Sequence, residues 1–270
     1  PHLRRRGVLS YLVGIVLYAR VIVALYPQFK DSASLDALTK NGSTLAALFG
    51  ATGSLTSPSG WLDANIYENL LPLIMLLITI GYGATCIAGQ DEDGTLSLTA
   101  VLPVSRDAVV LQKVGALALQ AMLLAIATML CVVVGRQFDL SIPIAHLTGL
   151  TLGVALLGID FGLCALAVGS ITGSRGTALG VTAALAACSY LVSSLSPVIG
   201  WIHPARYASL FYWSVGNQQL ANGLSMVSAV ALVVVGAALT VAGVAGFRGR
   251  ALPGPEGDPE SNPRSPGACP

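Results

Sequence analysis

The chain has 270 residues, of which 54% are hydrophobic and only 10% charged, and its formal net charge is +1. A soluble domain carries about 25% charged residues, so a water-facing globule is excluded: there is too little polar surface to cover this much apolar side chain. The near-neutral balance also excludes a nucleic-acid binder, which leaves a clustered basic footprint.

Lipid is therefore the solvent for most of the chain. Crossing a hydrocarbon core of ~30 Å takes about 20 apolar residues in helix. Six stretches qualify in chain order: Gly7–Tyr26, Leu70–Gly89, Val114–Gly135, Leu147–Ile171, Thr177–Leu195 and Leu224–Phe247. Arg4-Arg5-Arg6 ahead of the first run imitates a secretory leader. The run is longer than a leader's apolar region and no A-x-A-like site follows, so it is expected to be a retained span. Only the first and fourth spans hold a charge, Arg20 and Asp160. Between the first two spans, Pro27–Asn69 places Leu35, Leu38, Leu45, Leu48 and Phe49 at roughly helical spacing, which predicts an amphipathic surface helix. Between the last two, Ser196–Gly223 holds Trp201, Tyr207, Phe211, Tyr212 and Trp213. Such rings suit the headgroup layer.

Loop charge sets orientation. With the N-terminus inside, the inner segments hold Arg4, Arg5, Arg6, Arg106, Lys113, Arg175, Arg248, Arg250 and Arg264. The outer ones hold Lys30, Lys40, Arg136 and Arg206. This bias predicts cytoplasmic termini, which an even number of spans allows. The expected fold is an all-α membrane protein: six transmembrane helices over residues 1–250 with amphipathic or re-entrant outer segments. Residues 251–270, rich in Pro, Gly and charge, read as a disordered cytoplasmic tail.

Catalytic motifs are missing from the sequence. It has no G-x-x-x-x-G-K-[ST] loop to cradle ATP, no HExxH for zinc and no G-x-S-x-G nucleophile elbow. His2, His146 and His203 do not cluster, and Cys86, Cys131, Cys164, Cys188 and Cys269 lack ligand spacing. Four of those cysteines lie in apolar runs and read as small hydrophobes. An intramembrane aspartyl protease needs two deep aspartates; only Asp160 lies deep. The expectation is a chain that is not an enzyme and binds no metal or cofactor of its own.

The loop Gln90–Lys113 is unusual. Asp91-Glu92-Asp93-Gly94-Thr95-Leu96 places an acidic cluster before a short apolar stretch, which Leu102-Pro103-Val104-Ser105-Arg106 ends. Acids ahead of a helical turn favour its positive N-terminal end. The pattern resembles the cytoplasmic loop of ABC-2 type transporter permeases, especially an actinobacterial six-span branch. Weaker matches are Arg4-Arg5-Arg6-Gly7, Leu25-Tyr26-Pro27, Ser57-Pro58-Ser59-Gly60-Trp61-Leu62, Leu71-Pro72-Leu73 and Phe247-Arg248-Gly249-Arg250. Together they cover roughly residues 3 to 250. The resemblance implies a permease subunit of a bacterial plasma membrane whose loop, as a short coupling helix between spans two and three, docks on a separate ATP-binding-cassette ATPase. ATP and Mg would be bound by that partner, and a second permease half, identical or different, would complete the pore. Glu92, Gly94, Thr95, Leu96, Pro103 and Arg106 match the family pattern, with Asp91 and Leu102 beside them as coupling candidates; Gln90 departs from it, an acid being usual there. Drugs, lipids, peptides and polysaccharides are the implied cargo classes.

Asp160 is the second candidate. An intramembrane acid is costly unless it is paired, protonated or facing water. By helical rise Arg20 and Asp160 lie about 20 and about 16 Å from the inner ends of their spans, near enough in depth for an ion pair. Alternatively Arg20 snorkels to the outer headgroups. Gly149/Gly153 and Gly158/Gly162, on the same span as Asp160, are small-xxx-small pairs that admit close helix approach. The rival reading is a stand-alone proton-coupled transporter or membrane-embedded enzyme that uses Asp160; a third is an immunity or scaffold protein that transports nothing.

Overall fold

The computed structural model describes residues 2–29, 57–92, 106–138, 142–196, 199, 203–216 and 219–249. Among them every regular element is helical. That is what lipid demands, because a helix satisfies its backbone polar groups within its own segment. In chain order the elements are α1 (His2–Phe29), α2 (Pro58–Leu62), a π-helical turn (Asp63–Tyr67), α3 (Leu70–Cys86), α4 (Ala88–Glu92) and α5 (Arg106–Val134). There follow a 3₁₀ turn (Gly135–Phe138), α6 (Ile144–Thr172), α7 (Arg175–Leu195) and a second 3₁₀ turn (His203–Ala208). Then come α8 (Leu210–Ser214), α9 (Gln219–Asn222) and α10 (Met226–Gly249).

Five helical runs are long and apolar enough to cross a bilayer: Pro58–Cys86 taken as one, Asp107–Val134, Ile144–Thr172, Arg175–Leu195 and Met226–Gly249. The first expected span appears as a shorter apolar stretch, Val13–Phe29. The second span starts twelve residues before the apolar run at Leu70. Ser57 caps it by accepting from the Gly60 amide, and Pro58 occupies the first turn, where its missing N–H costs nothing. Polar side chains interrupt the hydropathy here without breaking the helix. Asn65 donates to the Trp61 carbonyl and Asn69 to that of Ala64, both at 2.8 Å.

Helix α6 is the centre of the bundle. Of its apolar window 72% is buried, against 17% in α7 and 22% in α10. It packs on α3, α5, α7 and α10. Its glycines explain how. A Cβ on Gly158 would meet Met75 Cγ of α3 at 2.3 Å, and one on Gly162 would meet Leu117 Cδ1 of α5 at 2.5 Å. On the facing helix, a Cβ on Gly83 would lie 2.1 Å from the Gly162 carbonyl oxygen. Gly149 and Gly153 admit Leu224 and the Ser214 backbone in the same way. Both predicted small-residue pairs thus sit at close approaches.

Gly173 ends α6 in the left-handed region at φ 69°, its N–H on the Gly169 carbonyl, and Ser174 then caps α7 by accepting from Thr177. At the opposite end of the bundle the chain after α7 folds back. Phe211 of α8 packs on Phe161 and edge-on to Tyr190. The aromatic segment is therefore partly inserted between helices. Tyr207, Tyr212 and Trp213 form a cluster beside it. The amphipathic helix expected near Leu35–Phe49 and the tail at 251–270 lie outside the described residues.

Candidate functional site at the loop end and the buried aspartate

The α3–α5 connection emerges where α3, α5, α6, α7 and α10 also have an end. Its apolar floor is built from Cys86, Ile87, Val110, Leu166 and Phe247. Three polar ties surround that floor. Glu92, the last residue of α4, accepts the Arg175 backbone N–H on Oε1 at 2.8 Å. With its side-chain amide turned so that O and N exchange places, Gln90 can donate to the Cys86 carbonyl at 3.0 Å and accept from Lys113 Nζ at 3.1 Å, a link between the two limbs of the connection at its base. Arg248, in the last turn of α10, donates through Nε to Asp107 Oδ1 at 2.7 Å and through Nη2 to Oδ2. Both members of that pair are exposed, so it fixes geometry more than it adds stability.

The expected coupling residues divide into three groups. Glu92 brings its carboxylate to the N-terminus of α7. The positive end of a helix attracts an acid wherever that acid comes from. Asp91 lies in α4 and Arg106 opens α5. Gly94, Thr95, Leu96, Leu102 and Pro103, with the expected coupling helix, lie outside the described residues.

The bundle's hydroxyls are satisfied locally: Thr79, Thr128 and Thr151 each donate to the carbonyl four residues back, and Ser170 to that of Ala167. Asp160 differs. It is 1% exposed and its Oδ2 has no hydrogen-bond partner. Its Oδ1 lies against α10, 2.7 Å from where a Cβ on Gly236 would be. The expected partner is elsewhere. Arg20 is exposed on α1, which packs chiefly on α5. No ion pair joins Arg20 to Asp160, because the helices that carry them are not packed neighbours. Azimuth was not available from one sequence.

At the opposite end, Arg206 Nη1 donates to His203 Nε2 at 2.9 Å, and Nη2 donates to the Tyr207 hydroxyl at 2.8 Å. Its guanidinium also lies over the Tyr207 and Tyr212 rings. The Tyr207 hydrogen bond holds the guanidinium's pKa above its ordinary value. This cluster suits a headgroup layer. Sequence reasoning missed Arg175, Asp107 and Arg248 as loop-end partners. The available signal was the Gly173-Ser174 pair, which places a helix start beside the acidic loop.

Long apolar helices packed round one buried helix define a multi-pass membrane protein. A family described as ABC-2 family transporter protein matches residues 3–248. The chain belongs to that family, whose members are transporter membrane subunits and not themselves catalytic. No curated protein matches it.

Proposed function

We propose that this chain is the transmembrane subunit of an ATP-binding-cassette exporter in a bacterial plasma membrane, driven by a separate ATPase subunit that docks on the Gln90–Lys113 loop. The family match across residues 3–248 carries the reading. It is supported by the loop end, where polar ties connect the segment holding the coupling candidates to two further helices, α7 and α10. In this reading α1 is the sixth span, the termini and the loop face the cytoplasm, and a second permease half completes the path. ATP and Mg belong to the partner. Gly94 permits the turn that presents Leu96 and Leu102, and Asp91, Glu92, Thr95, Pro103 and Arg106 shape the docking segment.

The test is reconstitution with an ATP-binding-cassette subunit, sought first in the reading frames adjacent to the gene. Leu96→Asp and Gly94→Pro are expected to leave membrane insertion intact and to lower ATPase stimulation several-fold. ATP-independent transport by the purified chain alone in liposomes would overturn the proposal. One observation favours the proton-coupled alternative, the unpartnered Asp160 Oδ2. Transport driven by an imposed pH gradient without ATPase, and lost in Asp160→Asn, would establish that reading instead.

A further inference from the structure

We infer that Glu92 is a positioning residue that acts as an internal cap, linking the coupling loop to α7, and that Asp107 with Arg248 links the loop's other limb to α10. This rests on the coupling reading above and adds the route by which movement of the loop enters the bundle.

The backbone accounting at the start of α7 supports it. The first amides of a helix have no partner within it. Here Ser174 Oγ accepts from Thr177 and Glu92 Oε1 accepts from Arg175. The Arg175 amide is therefore satisfied from outside the hairpin, by a residue 83 positions earlier in the chain. Charge assists the bond, since a carboxylate faces the positive end of the helix. Small residues bring the pieces close: a Cβ on Gly169 would lie 3.3 Å from Ala88 Cβ and 3.5 Å from Ala178 Cβ. Helix α4 is thus seated against the α6–α7 hairpin and held there by its own last residue.

The second tie has a different target. Asp107 stands in the first turn of α5, just beyond the loop, and Arg248 in the last turn of α10. Both ends of the connection are therefore anchored, one to α7 and one to α10. These two helices are largely exposed along their lengths, and both contact α6 directly. A displacement imposed on the loop pulls on two helices that flank the central one. With the Gln90 amide turned toward Lys113, the two residues can bridge the base between the limbs.

If Glu92 worked as an ionic dock for the ATPase, its charge would be essential. As a cap, it needs only an acceptor oxygen of the right reach. Glu92→Gln keeps that oxygen and Glu92→Ala removes it. The experiment uses the full chain in complex with its ATPase and follows hydrogen exchange across Thr172–Ala178, before and after trapping with Mg-ATP and vanadate. In the untrapped state Glu92→Ala is expected to speed exchange there about tenfold, as for loss of a charge-assisted hydrogen bond, and Glu92→Gln, which keeps the acceptor oxygen without its charge, about threefold. Trapping should change exchange across this segment in the parent and in Glu92→Gln, but not in Glu92→Ala. Asp107→Arg and Arg248→Asp should each blunt the trapped response in α10, and the combined reversal should restore it. Glu92→Gln failing as badly as Glu92→Ala, or Glu92→Ala leaving exchange unchanged, overturns the inference. A parent complex that hydrolyses no ATP overturns the coupling reading instead, and the untrapped comparison still decides the cap.

Discussion

Replacing Gly83 with alanine isolates the contact that brings α3 against α6. The added Cβ would sit 2.1 Å from the Gly162 carbonyl oxygen and 3.1 Å from Ala165 Cβ. Backbone cannot rotate aside, so the helices must part by roughly 1 Å to reach an ordinary contact. A gap of that size forfeits about a quarter to a half of each contact's ~0.1–0.2 kcal/mol, and one buried leucine makes about 40–60 such contacts. Disturbing the equivalent of one leucine then costs roughly 1–6 kcal/mol, with about 3 kcal/mol the central expectation. Gly81 is the control on the same helix, because a Cβ there meets nothing within 4 Å. Gly81→Ala should be neutral or stabilising by up to about 1 kcal/mol through helix propensity. Gly162→Ala should fall between the two, since its nearest obstacle is the mobile end of Leu117 at 2.5 Å. Unfolding midpoints of the three variants in one detergent check the ranking. Gly83→Ala as stable as the parent, or Gly81→Ala equally damaged, would refute the close-approach argument.

Asp160→Asn and Arg20→Gln should be additive in a stability cycle, with coupling under about 0.5 kcal/mol, because neither leaves a partner charge stranded; coupling above about 1 kcal/mol would restore the ion pair. Gly236→Ala should destabilise by about 1–3 kcal/mol through its clash with Asp160 Oδ1, 2.7 Å away, and an Asp160→Ala background should relieve most of that loss. Trp61→Phe removes the Nε1 donation to the Ile22 carbonyl at 3.1 Å but keeps a ring against Tyr26 and Phe29. It should cost about 1 kcal/mol and raise protease access at the α1–α2 junction. Single cysteines at positions 40 and 100 in a Cys-free background should label from outside and only after permeabilisation, respectively; the reverse pattern would invert the orientation.

The helical class and most span positions were legible in the sequence because lipid leaves an apolar run few other options. Boundaries were less so. Asp63, Asn65, Glu68 and Asn69 ended the apolar run before α3 while the helix continued through them, since the two asparagines bond their own helix's carbonyls. Hydropathy records side-chain polarity, whereas the helix end is decided by the Ser57 cap and Pro58. The glycine pairs of α6 were legible because a helix period places them on one face, and that face had to meet something.

What a single sequence carries poorly is azimuth, and the two candidate sites differ on this point. Helical rise puts Arg20 and Asp160 at comparable expected depths, yet α1 packs on α5 while Asp160 meets α10. Glu92 and Arg175 are 83 residues apart and do meet, because topology brings them to the same end. Two spans with reversed directions return the chain to the side it left, so the α3–α5 connection and the α6–α7 hairpin must share a face of the membrane. Given a hairpin as tight as Gly173-Ser174, α7 begins at that face with unpaired amides, and an acid in the adjacent loop is the nearest group able to satisfy one. Chain direction alone therefore favours loop-to-hairpin contacts, which need only a common end of the bundle. Mid-membrane pairs need the right neighbour as well, which is why the pairing of Arg20 with Asp160 stood beside the snorkelling alternative and why the packing of α1 and α10 decides against it.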